Sequence, residues 1–140
     1  MAEKKNACSC SKAPILIFPC SGVSDTGEIS DRVARRMHQE GLGKMSCLAG
    51  IGGRAKNILA LAQSASCLLA INGCPLDCAS LTLRQAGFPK LLELRVTDLG
   101  LPKGKSPVTE KNLDKVLQAA KGLLSGSGDL PTASTVKKCC

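Results

Sequence analysis

Large aromatic side chains are nearly absent from this sequence, which contains no tryptophan or tyrosine and only two phenylalanines, Phe18 and Phe88. A hydrophobic core must therefore be filled by leucine, isoleucine, valine and alanine, and the hydrophobic content of 44% is sufficient for one. Single-stranded nucleic-acid binding usually depends on aromatic rings that stack on the bases. The scarcity of rings makes a nucleic-acid partner unexpected, and the length of 140 residues suits one domain.

Long apolar runs are also missing. No stretch of the sequence approaches the roughly 20 apolar residues of a membrane-spanning helix, and the charged residues 1–6 lack the apolar segment of a secretory signal. We therefore expect no membrane partner and a cytoplasmic location. The net charge of +8 is spread over both ends of the chain and the predicted helix surfaces. This distribution is typical of a solvated basic surface, with an anionic ligand or an acidic partner as the alternative.

Nine cysteines are the most unusual feature that the sequence does have. In the reducing cytoplasm, thiols rarely form structural disulfides. An odd number also cannot be paired completely within one chain. The cysteine content therefore favours metal binding or redox chemistry.

The pattern of apolar residues predicts strands that alternate with helices. Short apolar runs typical of buried parallel strands cover residues 15–18, 45–48, 67–71 and 91–96. A first helix is predicted with Asp25 as its N-cap and Glu28 three residues later, as in a capping box, and it extends to about residue 40. Three further amphipathic helices follow, and Thr109 is the predicted cap of the last one.

This alternation predicts a three-layer α/β domain, Rossmann-like, with a four-stranded and mostly parallel sheet. The strand order 2-1-3-4 is compatible with it. We place this single domain at residues 14–124. A flexible arm at residues 1–13 precedes it and carries Cys8 and Cys10, and a disordered tail at residues 125–140 ends in Cys139 and Cys140.

Three cysteines recur at a spacing of 27 residues: Cys20, Cys47 and Cys74. This spacing equals about one strand, one helix and two turns, so each cysteine is predicted near the carboxyl end of its own strand. Ligands of open α/β sheets bind beyond those ends. Cys78 follows Cys74 by four residues and can face the same crevice from the start of a helix. Four thiolates are a usual structural zinc site, so the sequence predicts a metal site, with zinc as its ion.

The sequence is less specific about the roles of the other cysteines and of Arg54 and His38. Cys67, at the start of a buried strand, is expected to be a small packing residue. Cys8 and Cys10 could complete the site, transfer metal or resolve a disulfide, and Arg54 could offset the negative charge of the thiolates. His38 is expected to be exposed on the first helix rather than to bind metal. The roles of Cys139 and Cys140 stay open.

Two other functions remain open on the same thiols. The first is a thiol-dependent enzyme, redox or transfer, with Cys20 or Cys74 as its nucleophile, and the second is an iron–sulfur protein. A phosphatase loop needs arginine six positions after its cysteine, but that position holds Thr26 after Cys20, and Arg54 comes one residue too late after Cys47. No acid–base pair is evident, because the acidic residues near the crevice are better explained as helix caps and first-turn charges: Asp25, Glu28 and Asp77.

Three segments of the sequence resemble the DGC-domain family of proposed zinc-binding proteins. They are Cys20-Ser21-Gly22, the segment from Met45 to Arg54, and Asn72-Gly73-Cys74-Pro75-Leu76-Asp77-Cys78. The resemblance extends over about residues 14–124 and implies zinc bound by the same four cysteines. The family is named for an Asp-Gly-Cys triplet, and in this sequence the aspartate position holds Asn72. This departure removes a charge but keeps the turn geometry and the cysteine, and it leaves any acid–base role of the position open.

Overall fold

A computed structural model describes residues 13–126 of the chain. Its centre is a four-stranded, all-parallel sheet in the order β2-β1-β3-β4. The strands are β1 (Ile15–Pro19), β2 (Lys44–Met45), β3 (Cys67–Asn72) and β4 (Leu92–Arg95). The helices are α1 (Asp25–Gln39), α2 (Leu48–Gly52), α3 (Lys56–Ser64), α4 (Cys78–Gln85) and α5 (Glu110–Ser125). The three-layer α/β fold predicted from the sequence is confirmed, and the strand order agrees with 2-1-3-4.

The sheet separates two hydrophobic clusters. On one face, side chains of β1 and β3 such as Ile17 and Leu69 pack with α1 and α5. On the other face, alternate residues of the same strands, including Leu16 and Phe18, form a cluster with side chains of α2, α3 and α4. Burial on both faces explains why these strands appear in the sequence as continuous apolar runs rather than as alternating ones.

Helix α1 begins one residue earlier than the sequence predicted. The N-cap is Ser24, whose Oγ accepts a hydrogen bond from the backbone N–H of Gly27 at 3.2 Å, and Asp25 is the first helical residue. The cap of α5 is confirmed, because Thr109 Oγ1 accepts from the backbone N–H of Asn112 at 3.3 Å. Both helices therefore start on the hydroxyl side chains that favour this position.

The chain between β2 and β3 differs from the prediction. Strand β2 ends at Met45, so Cys47 is not a strand residue but the N-cap of the short helix α2. The glycine-rich segment after it, which the sequence predicts as a turn, forms this additional helix. Gly50 permits α2 to pack closely on α3, because a Cβ atom at Gly50 would lie only 2.9 Å from Ile58 Cγ1. Strand β4 is also shorter than predicted, since a 3₁₀ helix begins at Val96.

Within residues 13–126, none of the helices combines the length and apolar character that crossing a membrane requires.

Candidate functional site

Three loops bring cysteines to the carboxyl edge of the sheet. Cys20 follows β1 directly, and its backbone N–H donates to Ile71 O of β3 at 2.8 Å. Cys47 and Cys74 each follow the last residue of their strands, β2 and β3, by two positions. Because all strands are parallel, these three loops lie at one edge, as the 27-residue spacing predicted.

The loops after β1 and β3 both lie close to the first turn of α1, and glycines form the contacts. A Cβ atom on Gly27, in the first turn of α1, would lie 2.6 Å from Gly22 O. A Cβ atom on Gly73 would lie 3.0 Å from the backbone nitrogen of Gly27. The loop after β1 and the loop after β3 therefore pack on the same turn of α1, and the absence of side chains permits their approach. Cys20 and Cys74 are carried by these two loops.

The four proposed ligands differ in exposure. Cys74 is buried, with 9% of its surface exposed, and Cys20 is half-buried. Cys47 and Cys78 are exposed. Cys47 Sγ accepts a hydrogen bond from the backbone N–H of Gly50 at 3.3 Å, which orients this sulfur at the start of α2. Cys67 lies at the opposite end of β3 from Cys74 and packs against the core, consistent with its predicted role.

A lysine that the sequence analysis did not single out contacts the buried cysteine. Lys103 Nζ lies 3.6 Å from Cys74 Sγ. Lys103 belongs to the loop that follows β4, and 29 positions separate the two residues along the chain. The sequence around it carries no motif for this contact, only the glycines and prolines of a loop.

The loop with Lys103 is attached to the start of α1 by Asp25. The carboxylate of Asp25 accepts hydrogen bonds from the backbone N–H groups of Gly104 at 2.8 Å and Ser106 at 2.7 Å. These bonds favour the charged carboxylate, and with a third from the N–H of Thr26 they hold the pKa of Asp25 below its usual value. Asp25 is a first-turn charge, as predicted, and it also links α1 to this loop.

The loop between Cys74 and Cys78 contains a residue with unusual backbone geometry. Asp77 has φ of 50°, in the left-handed region that non-glycine residues seldom adopt. It holds the N-cap position of α4, but within residues 13–126 its side chain makes no capping bond. Instead, its carboxylate binds the guanidinium of Arg95 in a two-pronged ion pair with N···O distances of 2.8 and 2.5 Å. This pairing raises the pKa of Arg95 and anchors the loop to the end of β4.

The missing cap of α4 is supplied by Asn72. Asn72 is 2% exposed, and its Oδ1 accepts from the backbone N–H of Ser80 at 3.2 Å while its Nδ2 donates to Ser80 Oγ at 2.7 Å. A carboxylate oxygen at this position could accept the same hydrogen bond. Asparagine at this position therefore keeps the connection between β3 and α4.

We expect Asn72→Ala to destabilise the protein by about 1–3 kcal/mol, because it removes a helix cap and leaves a buried N–H without its partner. Asn72→Asp should retain most of the stability, since a carboxylate also accepts from both Ser80 groups. Urea unfolding of the three proteins measures this difference. An alanine variant as stable as the parent protein would contradict the capping role.

Two further predicted residues have contacts elsewhere. Arg54 Nη2 donates to Gln85 O at 3.0 Å, at the opposite end of α4 from Cys78. His38 is exposed, as predicted, and its Nδ1 accepts from the backbone N–H of Met45 at 3.3 Å. The predictions for the remaining cysteines fall outside the described residues: Cys8, Cys10, Cys139 and Cys140.

Within residues 13–126, no group of three or more His, Cys, Asp and Glu side chains is arranged to hold a metal ion. The four cysteines share an edge of the sheet, but their sulfur atoms do not converge on one point in this conformation. The donor type fits zinc or an iron–sulfur cluster, whereas the arrangement requires movement of side chains or loops before all four sulfurs can bind one ion.

Comparisons with known proteins indicate a single family. The family model for the DGC domain matches residues 16–120. Over 88 residues, the chain is 34% identical to the anaerobic and virulence modulator AnvM of Pseudomonas aeruginosa, an alignment that covers 63% of this chain and 67% of that protein. No solved structure matches the chain.

Proposed function

The chain belongs to the DGC-domain family, and from this premise we propose that it is a cytoplasmic metal-binding protein whose ion is zinc. The proposed ligands are Cys20, Cys47, Cys74 and Cys78. The observation that carries this proposal is the position of three separate cysteine loops at the carboxyl edge of one parallel sheet. Cysteines that only filled the core would not be expected to recur at the loop after each of three successive strands.

The four side chains differ in burial, which supports a site in which two exposed cysteines move toward two less exposed ones. Cys74 and Cys20 lie on loops packed against α1 and form the fixed half. Cys47 and Cys78 are exposed, so rotation of their side chains displaces water rather than core atoms. When the Cys47 side chain rotates, its sulfur loses the hydrogen bond from the N–H of Gly50 and becomes free to bind the metal. Zinc bound by four thiolates would stabilise the folded chain, since structural zinc contributes directly to folding.

The electrostatics of the site support thiolate binding. A divalent ion with four thiolates has a net charge of −2, which is unfavourable unless positive groups lie nearby. Lys103 places an ammonium group beside Cys74. The charge of Arg95 is already balanced by Asp77 and Asp98, so this arginine contributes by anchoring the loop that carries both Cys74 and Cys78.

The first test is elemental analysis of tag-free protein purified without oxygen, accompanied by a visible spectrum. We expect about one zinc per chain and no visible absorption, because zinc has a filled d shell and thiolate zinc is colourless. Iron together with a brown absorption would indicate that the four cysteines hold an iron–sulfur cluster instead of zinc. Protein without metal, in which Cys20 or Cys74 reacts rapidly with an alkylating reagent, would contradict the metal site and favour the thiol-dependent enzyme.

A further inference from the structure

The large apolar side chains that are exposed to solvent are concentrated in one part of this domain. Among residues 13–126 there are three of them: Val23, Leu76 and Leu81. Val23 belongs to the loop after β1 and is fully exposed, whereas Leu76 belongs to the loop after β3 and is 64% exposed. Leu81 is the fourth residue of α4, the helix that follows the second loop. Single exposed apolar residues are ordinary, but three in neighbouring segments indicate an interaction surface.

The loops that carry Val23 and Leu76 are supported by the same turn of α1. Val23 directly follows Gly22, whose backbone oxygen would lie 2.6 Å from a Cβ atom on Gly27. Leu76 follows Gly73 by three positions, and a Cβ atom on Gly73 would lie 3.0 Å from the backbone nitrogen of Gly27. The two exposed apolar side chains therefore extend from adjacent loops at the carboxyl edge of the sheet.

Two exposed lysines lie beside these loops. Lys103 and Lys105 belong to the loop after β4, which the Asp25 carboxylate attaches to the start of α1 by accepting two backbone hydrogen bonds, at 2.8 and 2.7 Å. Because Asp25 follows Val23 by two positions, the lysines lie close to the loop after β1. Within the described part of the chain, neither lysine forms an ion pair with a carboxylate. Both ammonium groups are thus available to a partner.

The acidic side chains in the same region bind groups of their own chain. Asp25 accepts from the backbone of the lysine loop, and Asp77 and Asp98 both form ion pairs with Arg95. A partner that approaches this edge therefore meets apolar side chains and lysine ammonium groups.

We propose that this edge docks an acidic segment of another protein, in which carboxylates accompany large apolar side chains. The docking edge is defined by Val23, Leu76, Lys103 and Lys105. The apolar side chains supply contact area, and the lysines select a segment of opposite charge, because complementary charges steer association and disfavour other partners. This role goes beyond the metal site and requires no bound ion.

Two other occupants fit the docking edge less well. A second copy of the chain, whose net charge is also +8, would bring the lysines of both copies together, and like charges across an interface oppose association. Binding to an anionic membrane surface typically uses clusters of about 4–8 basic residues or a long amphipathic helix. The docking edge contains a pair of lysines and short loops instead.

Selection from a phage-displayed library of random short peptides tests which chemistry the docking edge prefers. The full chain is the target, and the double variant Val23→Ser with Leu76→Ser removes peptides that bind other surfaces by counter-selection. Both side chains are exposed, so this variant should unfold at the temperature of the parent protein. We expect the recovered peptides to be rich in aspartate and glutamate and to contain large apolar residues. Basic or uncharged peptides, or no peptide that prefers the parent protein, would overturn the proposal.

A synthetic peptide with the most enriched sequence then separates the apolar and the charged contributions. The double variant should bind it about tenfold more weakly, mainly through faster dissociation, because buried apolar contacts are lost. Lys105→Glu should also weaken binding about tenfold, but mainly through slower association and with less dependence on salt. Lys105 is chosen because Lys103 also lies beside Cys74.

Lys90→Glu is the matched control for the charge. Lys90 is exposed and precedes β4, so it lies at the amino edge of the sheet, opposite the docking edge. The substitution changes the net charge as Lys105→Glu does, and we expect it to leave peptide binding unchanged. Equal losses in the two variants would show a general charge effect and contradict the docking edge.

Sedimentation tests the two other occupants. A dimer that the parent protein forms and the double variant does not form would identify the occupant as a second copy and overturn the proposal. Binding to vesicles of phosphatidylserine and phosphatidylcholine that the double variant loses would identify a lipid surface and overturn it as well. A parent protein that holds zinc but binds no acidic peptide contradicts only the docking edge, whereas one that binds the peptide and holds no metal contradicts only the metal site.

Discussion

Replacing Gly27 with alanine is expected to displace the two loops that carry Cys20 and Cys74 and to weaken metal binding strongly. The new Cβ atom would lie 2.6 Å from Gly22 O and 3.0 Å from Gly22 N. These are backbone atoms, so a change of rotamer cannot relieve the contact and the loop must move. Overpacking of this kind costs about 1–3 kcal/mol, which outweighs the roughly 1 kcal/mol by which alanine is preferred to glycine within a helix.

Thermal unfolding and chelator competition measure both consequences of Gly27→Ala. We expect lower stability together with a zinc affinity reduced by about tenfold or more, because displaced loops move their sulfur atoms. Gly52→Ala in α2 is the matched control, since its Cβ atom would meet the Thr82 methyl group at an ordinary 3.6 Å. If Gly27→Ala kept the stability and affinity of the parent protein, the close contact would not be needed to form the site.

Loss of a single ligand should have a still larger effect. We expect Cys20→Ser and Cys74→Ser each to lose metal and stability together, because a ligand that binds only the folded chain stabilises it. At a free metal concentration 1,000 times the dissociation constant, this stabilisation is about 4 kcal/mol. Elemental analysis and urea unfolding, with and without a chelator, measure the two quantities. The chelator should destabilise the parent protein and leave both serine variants nearly unchanged.

Cys67→Ala is the control for the serine variants, because Cys67 packs against the core at the other end of β3. It should lose about 1 kcal/mol of stability, as a typical substitution does, and keep its metal. Metal retained in both Cys20→Ser and Cys74→Ser would reject the proposed set of ligands.

Much of the fold could be predicted because its signals are periodic and local. Buried strands appear as short apolar runs, and α1 and α5 appear as residues recurring at helical spacing. The prediction was wrong between β2 and β3, where glycines that suggest a turn form α2. In that helix, Gly50 packs directly against the side chain of Ile58 in α3, which leaves no space for a Cβ atom. Such packing is a contact between separate elements, and the local pattern does not contain it.

The sequence by itself determined where the cysteine loops are, because parallel strands at a 27-residue repeat place their carboxyl ends at one edge. Only the tertiary structure decided what surrounds the sulfur atoms. Lys103 reaches Cys74 from a different loop, and Gly27 is required because two loops meet on it. These contacts join residues that are distant along the chain, and they depend on how α1 and the loop after β4 pack against the sheet. Spacing along the chain determines which edge a residue lies on, whereas packing in three dimensions determines its neighbours.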